Sequence, residues 1–178
     1  MGNVDFSLVL PEGFGLGGVT SWSLQISDYL SRHGFKTAII DHVNKTDNQD
    51  SCILSKDVWH IPCKGPHPAF AFDSDVKKHY KGPYSKVAGS ICIPNWSSGA
   101  YGACAQLAQS EDLYVIGVGH TDFDYYYELL EYYEPMIARF IAVSEDIAKT
   151  LKERLPHRAE HIYARPCSVD YAESYPEK

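Results

Sequence analysis

The feature that most narrows the fold is a unit at the amino end of the chain. It consists of a short apolar run, a glycine-rich loop, an amphipathic stretch and a second apolar run. The first run, "VDFSLVL" from Val4 to Leu10, ends at Pro11 and reads as a buried strand. The loop "PEGFGLGG" follows. Then "VTSWSLQISDYLSRHGF" sets Val19, Trp22, Ile26 and Leu30 at helical spacing, with Gly34 placed to close the helix. "KTAIID" is the next strand. Two strands joined through a helix run parallel, with a right-handed crossover.

The alternation continues to the carboxyl end. "DVWHI" reads as a short strand and "VAGSICIP" as strand-like, and "SSGAYGACAQLAQ" is helical. "DLYVIGVGH" is the clearest buried strand and ends at His120; "DYYYELLEYYEPMIA" is helical. "RFIAVS" is a strand, "SEDIAKTLKERL" a helix and "HIYA" a last short strand. Ser144 suits the N-cap of that helix, and Glu145 and Asp146 favour the positive end of its dipole. The stretches from His42 to Gln49 and from Pro62 to Pro83 read as irregular. The expected fold is α/β, a doubly wound, mainly parallel sheet with helices on both faces forming one Rossmann-like domain. Such sheets bind ligands at the carboxyl ends of their strands. The glycine loop, Asn95–Trp96, His120 and Ser144 all fall at such ends.

Composition bounds the partners. The chain has 178 residues, 44% hydrophobic and 22% charged, with a formal net charge of −7. That acidity disfavours nucleic acid or an anionic membrane as the main partner, while leaving room for a local basic patch. No apolar run approaches the ~20 residues that span a bilayer, and the first residues lack the basic start of a signal peptide. Five cysteines, odd in number and scattered, read as reduced thiols of a cytoplasmic protein.

The glycine loop admits competing readings. Gly13, Gly15 and Gly18 form G-x-G-x-x-G, and Asp41 ends the second strand about where a ribose-binding acid sits in an NAD-dependent oxidoreductase or epimerase. Two features count against NAD. Pro11-Glu12 lengthens the turn, and Gly17 and Gly18 abut the helix, an arrangement that offers backbone N–H groups to a phosphate. A stand-alone, non-catalytic ligand-binding module is a third reading. His60, Cys63 and His67, with Cys52 nearby, are zinc-ligand types, but prolines intervene and a clear fourth ligand is missing, so no metal is expected. No Gly-x-Ser-x-Gly elbow is present.

Four motifs occur in order: "GFGLGGVTSWSLQISDYLSRHGFKTAIID", "VIGVGHTDFD", "RFIAVSEDIAKTL" and "HIYARPCSVD". Together they resemble the N-terminal domain of glycosyltransferase family 4 enzymes of GT-B fold. The last departs from the family's pattern, reading Arg165-Pro166-Cys167-Ser168-Val169-Asp170 without its Asn or Gly. The resemblance implies an acceptor-side domain over 1–164, an interdomain linker or tail over 165–178, and a C-terminal donor domain outside the chain. It implies retaining transfer from a nucleotide-sugar donor to a sugar or glycan acceptor, with no further cofactor and no activity in these residues alone. His120 would reach the donor sugar and the reacting centre, and Gly17 and Gly18 the donor phosphates. Trp96, Asp122, Tyr125 and Tyr126 would face the acceptor. Asp122 would otherwise orient His120 or cap the next helix, and at least one of Tyr125, Tyr126 and Tyr127 would enter the core.

Overall fold

The computed structural model describes residues 4–15, 17–42, 55–67, 71–109 and 112–167. Among these residues seven strands form one sheet: β1 (Phe6–Leu10), β2 (Thr37–His42), β3 (Val58–Cys63), β4 (Ile91–Ile93), β5 (Tyr114–Gly119), β6 (Ile137–Ala142) and β7 (Ile162–Ala164). Their order is β3-β2-β1-β4-β5-β6-β7 and every adjacent pair is parallel. The sheet is therefore a doubly wound α/β sheet of Rossmann type. Its order reverses between β1 and β4, and the loops leaving those two strands diverge there.

Strand alternation divides the core between the two faces. Leu8 and Leu10 of β1, with Ile39 of β2, pack on the face covered by α1 (Gly18–Arg32), against Trp22 and Leu24. Val9, Ala38 and Ile40 point the other way. That face carries the larger cluster, to which α3 (Lys81–Ser85), α4 (Ser98–Leu107), α5 (Asp124–Tyr132) and α6 (Glu145–Arg154) contribute side chains. β5 obeys the same rule: Val115 joins the large cluster and Val118 the α1 side. Gly117 is a glycine because α5 and β6 press on it. A Cβ there would lie 2.8 Å from Leu130 Cδ2 and 3.1 Å from Ile137 Cδ1.

Local signals explain several boundaries. α1 ends in a Schellman motif, with Gly34 N–H donating to the Ser31 carbonyl and Phe35 N–H to that of Leu30. Gly34 takes the left-handed φ of +86° that this geometry requires. Ser144 caps α6, its hydroxyl accepting from Ile147 N–H at 3.2 Å.

Three expectations change. The strand-like "VAGSICIP" yields only the three residues of β4, because Gly89 turns at φ +82° and its N–H donates to the Asp112 carbonyl. The helix expected over "DYYYELLEYYEPMIA" stops at Tyr132; Pro135 enters a short 3₁₀ turn and Ile137 already belongs to β6. The irregular stretch before Pro83 contains α2 (Asp73–Asp75), a π-helix over Val76–Tyr80, and α3. Pro83 has no N–H for the carbonyl of His79, four residues back. The Cys63 thiol approaches that carbonyl instead, at 3.8 Å.

Candidate functional site

His120 follows β5 in phase with Ile116 and Val118, so its ring turns to the α1 side of the sheet. Trp22 meets it edge to face at 5.0 Å between centroids. Its Nε2–H donates to Asn95 Oδ1 at 2.9 Å. Asn95 sits just beyond β4, fully buried, with a left-handed φ of +59°. Its amide nitrogen donates to the Val9 carbonyl and to Ser23 Oγ. A carbonyl only accepts, so the Asn95 amide has one orientation and its oxygen must face the imidazole. The proton of His120 is thereby held on Nε2, leaving Nδ1 as the acceptor nitrogen. Burial lowers the His120 pKa to about 4, so the ring is neutral near pH 7.

The opening of α1 supplies the facing wall. Gly17 is the N-cap, contributes no side-chain cap, and the first turn holds no acidic residue. The earliest α1 N–H groups therefore have no intrahelical partner and lie at the positive end of the dipole. A Cβ at Gly17 or Gly18 would meet nothing within 4 Å, so both backbones border open space. A hollow of about 170 Å³ lies here, lined in part by Glu12, Gly15, Gly17 and Gly18. A second, of about 260 Å³, is lined by Gly18, Val19, Trp96, His120, Tyr126 and Cys167 among others. The two share Gly18, Val19 and Trp96 and form one crevice at the switch point. Gly17, Gly18 and His120 thus border the same opening.

The aromatic residues divide. Trp96 packs edge-on to Tyr126, centroids 6.1 Å apart, and Tyr126 also contacts Tyr125 and Phe123. Tyr125 is 43% exposed and Phe123 62%, so this cluster continues the crevice wall into solvent. Burial, then Tyr125 and Glu12, raise the Tyr126 pKa. Tyr127 enters the core. Asp122 does not cap α5, whose N-cap is Phe123, and the group that orients His120 is Asn95. Asp122 accepts from the Tyr127 hydroxyl at 2.7 Å and steadies the start of that helix.

Asp41 lies apart from the crevice. It is 1% exposed, and His60 Nε2–H donates to its Oδ2 at 3.0 Å. Its Oδ1 tucks beneath the left-handed turn at Gly13, 3.1 Å from where a Cβ would sit. Burial raises its pKa. The carboxylate thus faces inward rather than toward a ribose. Of the zinc-type residues, His60 is taken by Asp41 and Cys63 turns to the His79 carbonyl. Cys52 lies outside the described residues. Among those residues, no three His, Cys, Asp or Glu side chains converge on a metal-sized site.

Sequence reasoning missed Asn95 as the residue that positions His120, and Phe123 as part of the aromatic wall. An Asn directly after a strand, a residue type that tolerates left-handed backbone, was the available signal for the first. For Phe123 there was none beyond its neighbours.

Among the described residues no helix is long and apolar enough to cross a membrane. No protein-family model matches the sequence, and no curated protein matches it. Among solved structures, the chain is similar to an alpha-glucosyltransferase in complex with UDP and a 13-mer DNA containing a central A:G mismatch. The TM-score is 0.55 at 16% sequence identity, over 91% of this chain. The chain spans 40% of the length of that structure. The likeness is one of fold: a parallel α/β sheet of the kind a glycosyltransferase uses.

Proposed function

We propose that the protein is the acceptor-side part of a nucleotide-sugar-dependent glycosyltransferase, with residues 1–164 as its Rossmann-like domain and 165–178 leading toward the donor side. One observation carries the reading: an uncapped helix opening of two glycines and a neutral, tautomer-fixed imidazole line a common crevice at the switch point. The fold likeness to an alpha-glucosyltransferase supports it.

The chemistry assigns the roles. Sugar transfer builds positive charge at the anomeric carbon and negative charge on the leaving phosphate, and fixed dipoles stabilise both. The Gly17–Gly18 opening of α1 offers N–H groups to a phosphate or a sugar oxygen without a Cβ in the way. His120 is uncharged, so it does not neutralise phosphate; its Nδ1 accepts a hydrogen bond from a sugar hydroxyl. Trp96, Tyr125 and Tyr126 present aromatic faces to the apolar C–H surface of an acceptor ring. No Lys or Arg lines the crevice among the described residues, and Glu12 stands at its edge. The diphosphate charge is therefore met mainly by groups outside this crevice, and residues 1–178 alone bind without turnover. Glu12 and the chain's net acidity favour an uncharged acceptor over DNA.

The test is isothermal titration calorimetry with glucose, maltose, UDP-glucose, NADH and a 13-mer DNA duplex. The expected result is saturable, weak binding of the neutral sugars that Trp96→Ala weakens by about tenfold, the loss of one stacking contact. Tight NADH binding lost in Asp41→Asn would instead establish the oxidoreductase reading. Salt-sensitive duplex binding with no response to sugars would replace the acceptor class.

A further inference from the structure

A cavity larger than either hollow of the crevice lies away from it, on the opposite layer of the molecule. It has a volume of about 380 Å³ and sits between the π-helix and α3 on one side and α4 on the other. Its floor is apolar: Val76, Tyr84, Ala103 and Leu107. These side chains belong to the large core cluster, whereas His120 and Trp22 pack on the other face of the sheet. Its rim is polar, with Lys77, Lys81, Gln106 and Gln109.

Three features make this more than a packing gap. First, its size falls within the ~300–1,000 Å³ of small-molecule sites, and an apolar floor with a few converging polar groups is their usual make-up. Second, one wall is a five-residue π-helix, a conformation found mostly as short insertions and frequently at functional sites. Third, the charge is out of character for the chain. Lys77, Lys78, Lys81 and Lys86 fall within ten residues of a protein of net charge −7. Among the described residues, neither Lys77 nor Lys81 has a carboxylate partner and none that lines the cavity is acidic. The carboxyl end of α4 contributes only about half a negative charge, which two ammonium groups exceed.

We propose that this cavity binds a single anionic amphiphile, its apolar body on Val76, Ala103 and Leu107 and its carboxylate or phosphate head between Lys77 and Lys81. The gap between the two lysines accepts the head, and Gln106 and Gln109 add amide donors at the rim. The floor discriminates against a bare anion and the lysines against a neutral chain. The site is independent of the crevice and of the glycosyltransferase reading.

Octyl phosphate, used as a monomer, is the probe, titrated by calorimetry beside inorganic phosphate, 1-octanol and octyltrimethylammonium. Saturable one-to-one binding of octyl phosphate is expected, with the other three weaker by at least about tenfold. Lys77→Gln with Lys81→Gln, both on the exposed rim, should weaken it by a similar factor while leaving the circular dichroism spectrum unchanged. Ala103→Leu, which fills the floor, should abolish binding; if that variant misfolds, the double lysine variant decides alone. Phosphate binding as tightly as octyl phosphate, octanol binding as tightly, or an unaffected lysine variant would each overturn the proposal. So would sedimentation with phosphatidylglycerol vesicles in the absence of monomer binding, since the lysines would then read a membrane surface.

Discussion

Asn95 is the residue on which the orientation of His120 depends. It holds His120 through one oxygen and is itself held by Val9 and Ser23 through one nitrogen. Removing the side chain leaves the Val9 carbonyl and the imidazole N–H without partners in a buried site. Asn95→Ala should therefore cost about 2–4 kcal/mol of stability in urea unfolding. Alanine is also strained at the φ of +59°, so Asn95→Gly should be the milder change by about 1 kcal/mol, while losing the same hydrogen bonds. In nitrogen-detected spectra, both variants should lose the single Nε2–H tautomer of His120. This position also marks a limit of sequence reading. His120 stands out as the end of the most apolar strand, and Asn95 follows another strand. Their hydrogen bond spans 25 residues and depends on a left-handed backbone that no local pattern announces.

At the scale of elements, the strand–loop–helix–strand unit was legible because each boundary has its own chemistry: Pro11 after β1, Gly34 in a Schellman turn, Asp41 near the end of β2. Ser144 was legible for the same reason, and Ser144→Ala should lower stability by about 1 kcal/mol through loss of the cap. The glycines of β5 were legible only as part of an apolar run. Their packing role depends on α5 and β6 arriving from elsewhere. Gly117→Ala should cost about 1–3 kcal/mol by overpacking against Leu130 and Ile137, measured as a lower unfolding midpoint with an unchanged slope. The segment before Pro83 was not legible as helix, since Gly82-Pro83 reads as a breaker. The structure accommodates the proline by placing it near the start of α3 after a π-helical segment, and the Cys63 thiol approaches the carbonyl it cannot serve.

For the whole molecule, the sheet order brings together what lies far apart in the chain: the loop after β1, the turn after β4 and the end of β5 meet at one rim. The same packing holds two of the described histidines uncharged, His42 buried and His120 half-buried at the crevice wall. Burial lowers the His120 pKa to about 4, and burial with the nearby His67 lowers that of His42 to about 3. The unfolded chain binds these protons from about pH 6.5 downward and the folded chain does not. Stability is therefore complete above pH 6.5 and falls as pH drops toward 4, by up to about 3 kcal/mol per histidine. Asp41, raised by burial, works in the opposite sense at the acid end and softens the loss. Denaturant midpoints between pH 4 and 8 check this, and His42→Asn should flatten the slope. The proposed function requires that the crevice between the α1 opening and His120 receive a sugar. Backbone and imidazole chemical shifts followed during titration with a neutral saccharide test it most directly. Shifts confined to Gly17, Gly18, Trp96, His120 and Tyr126 are expected; shifts centred on Gly13 and Asp41, or none at the crevice under saturation, would overturn the sugar site.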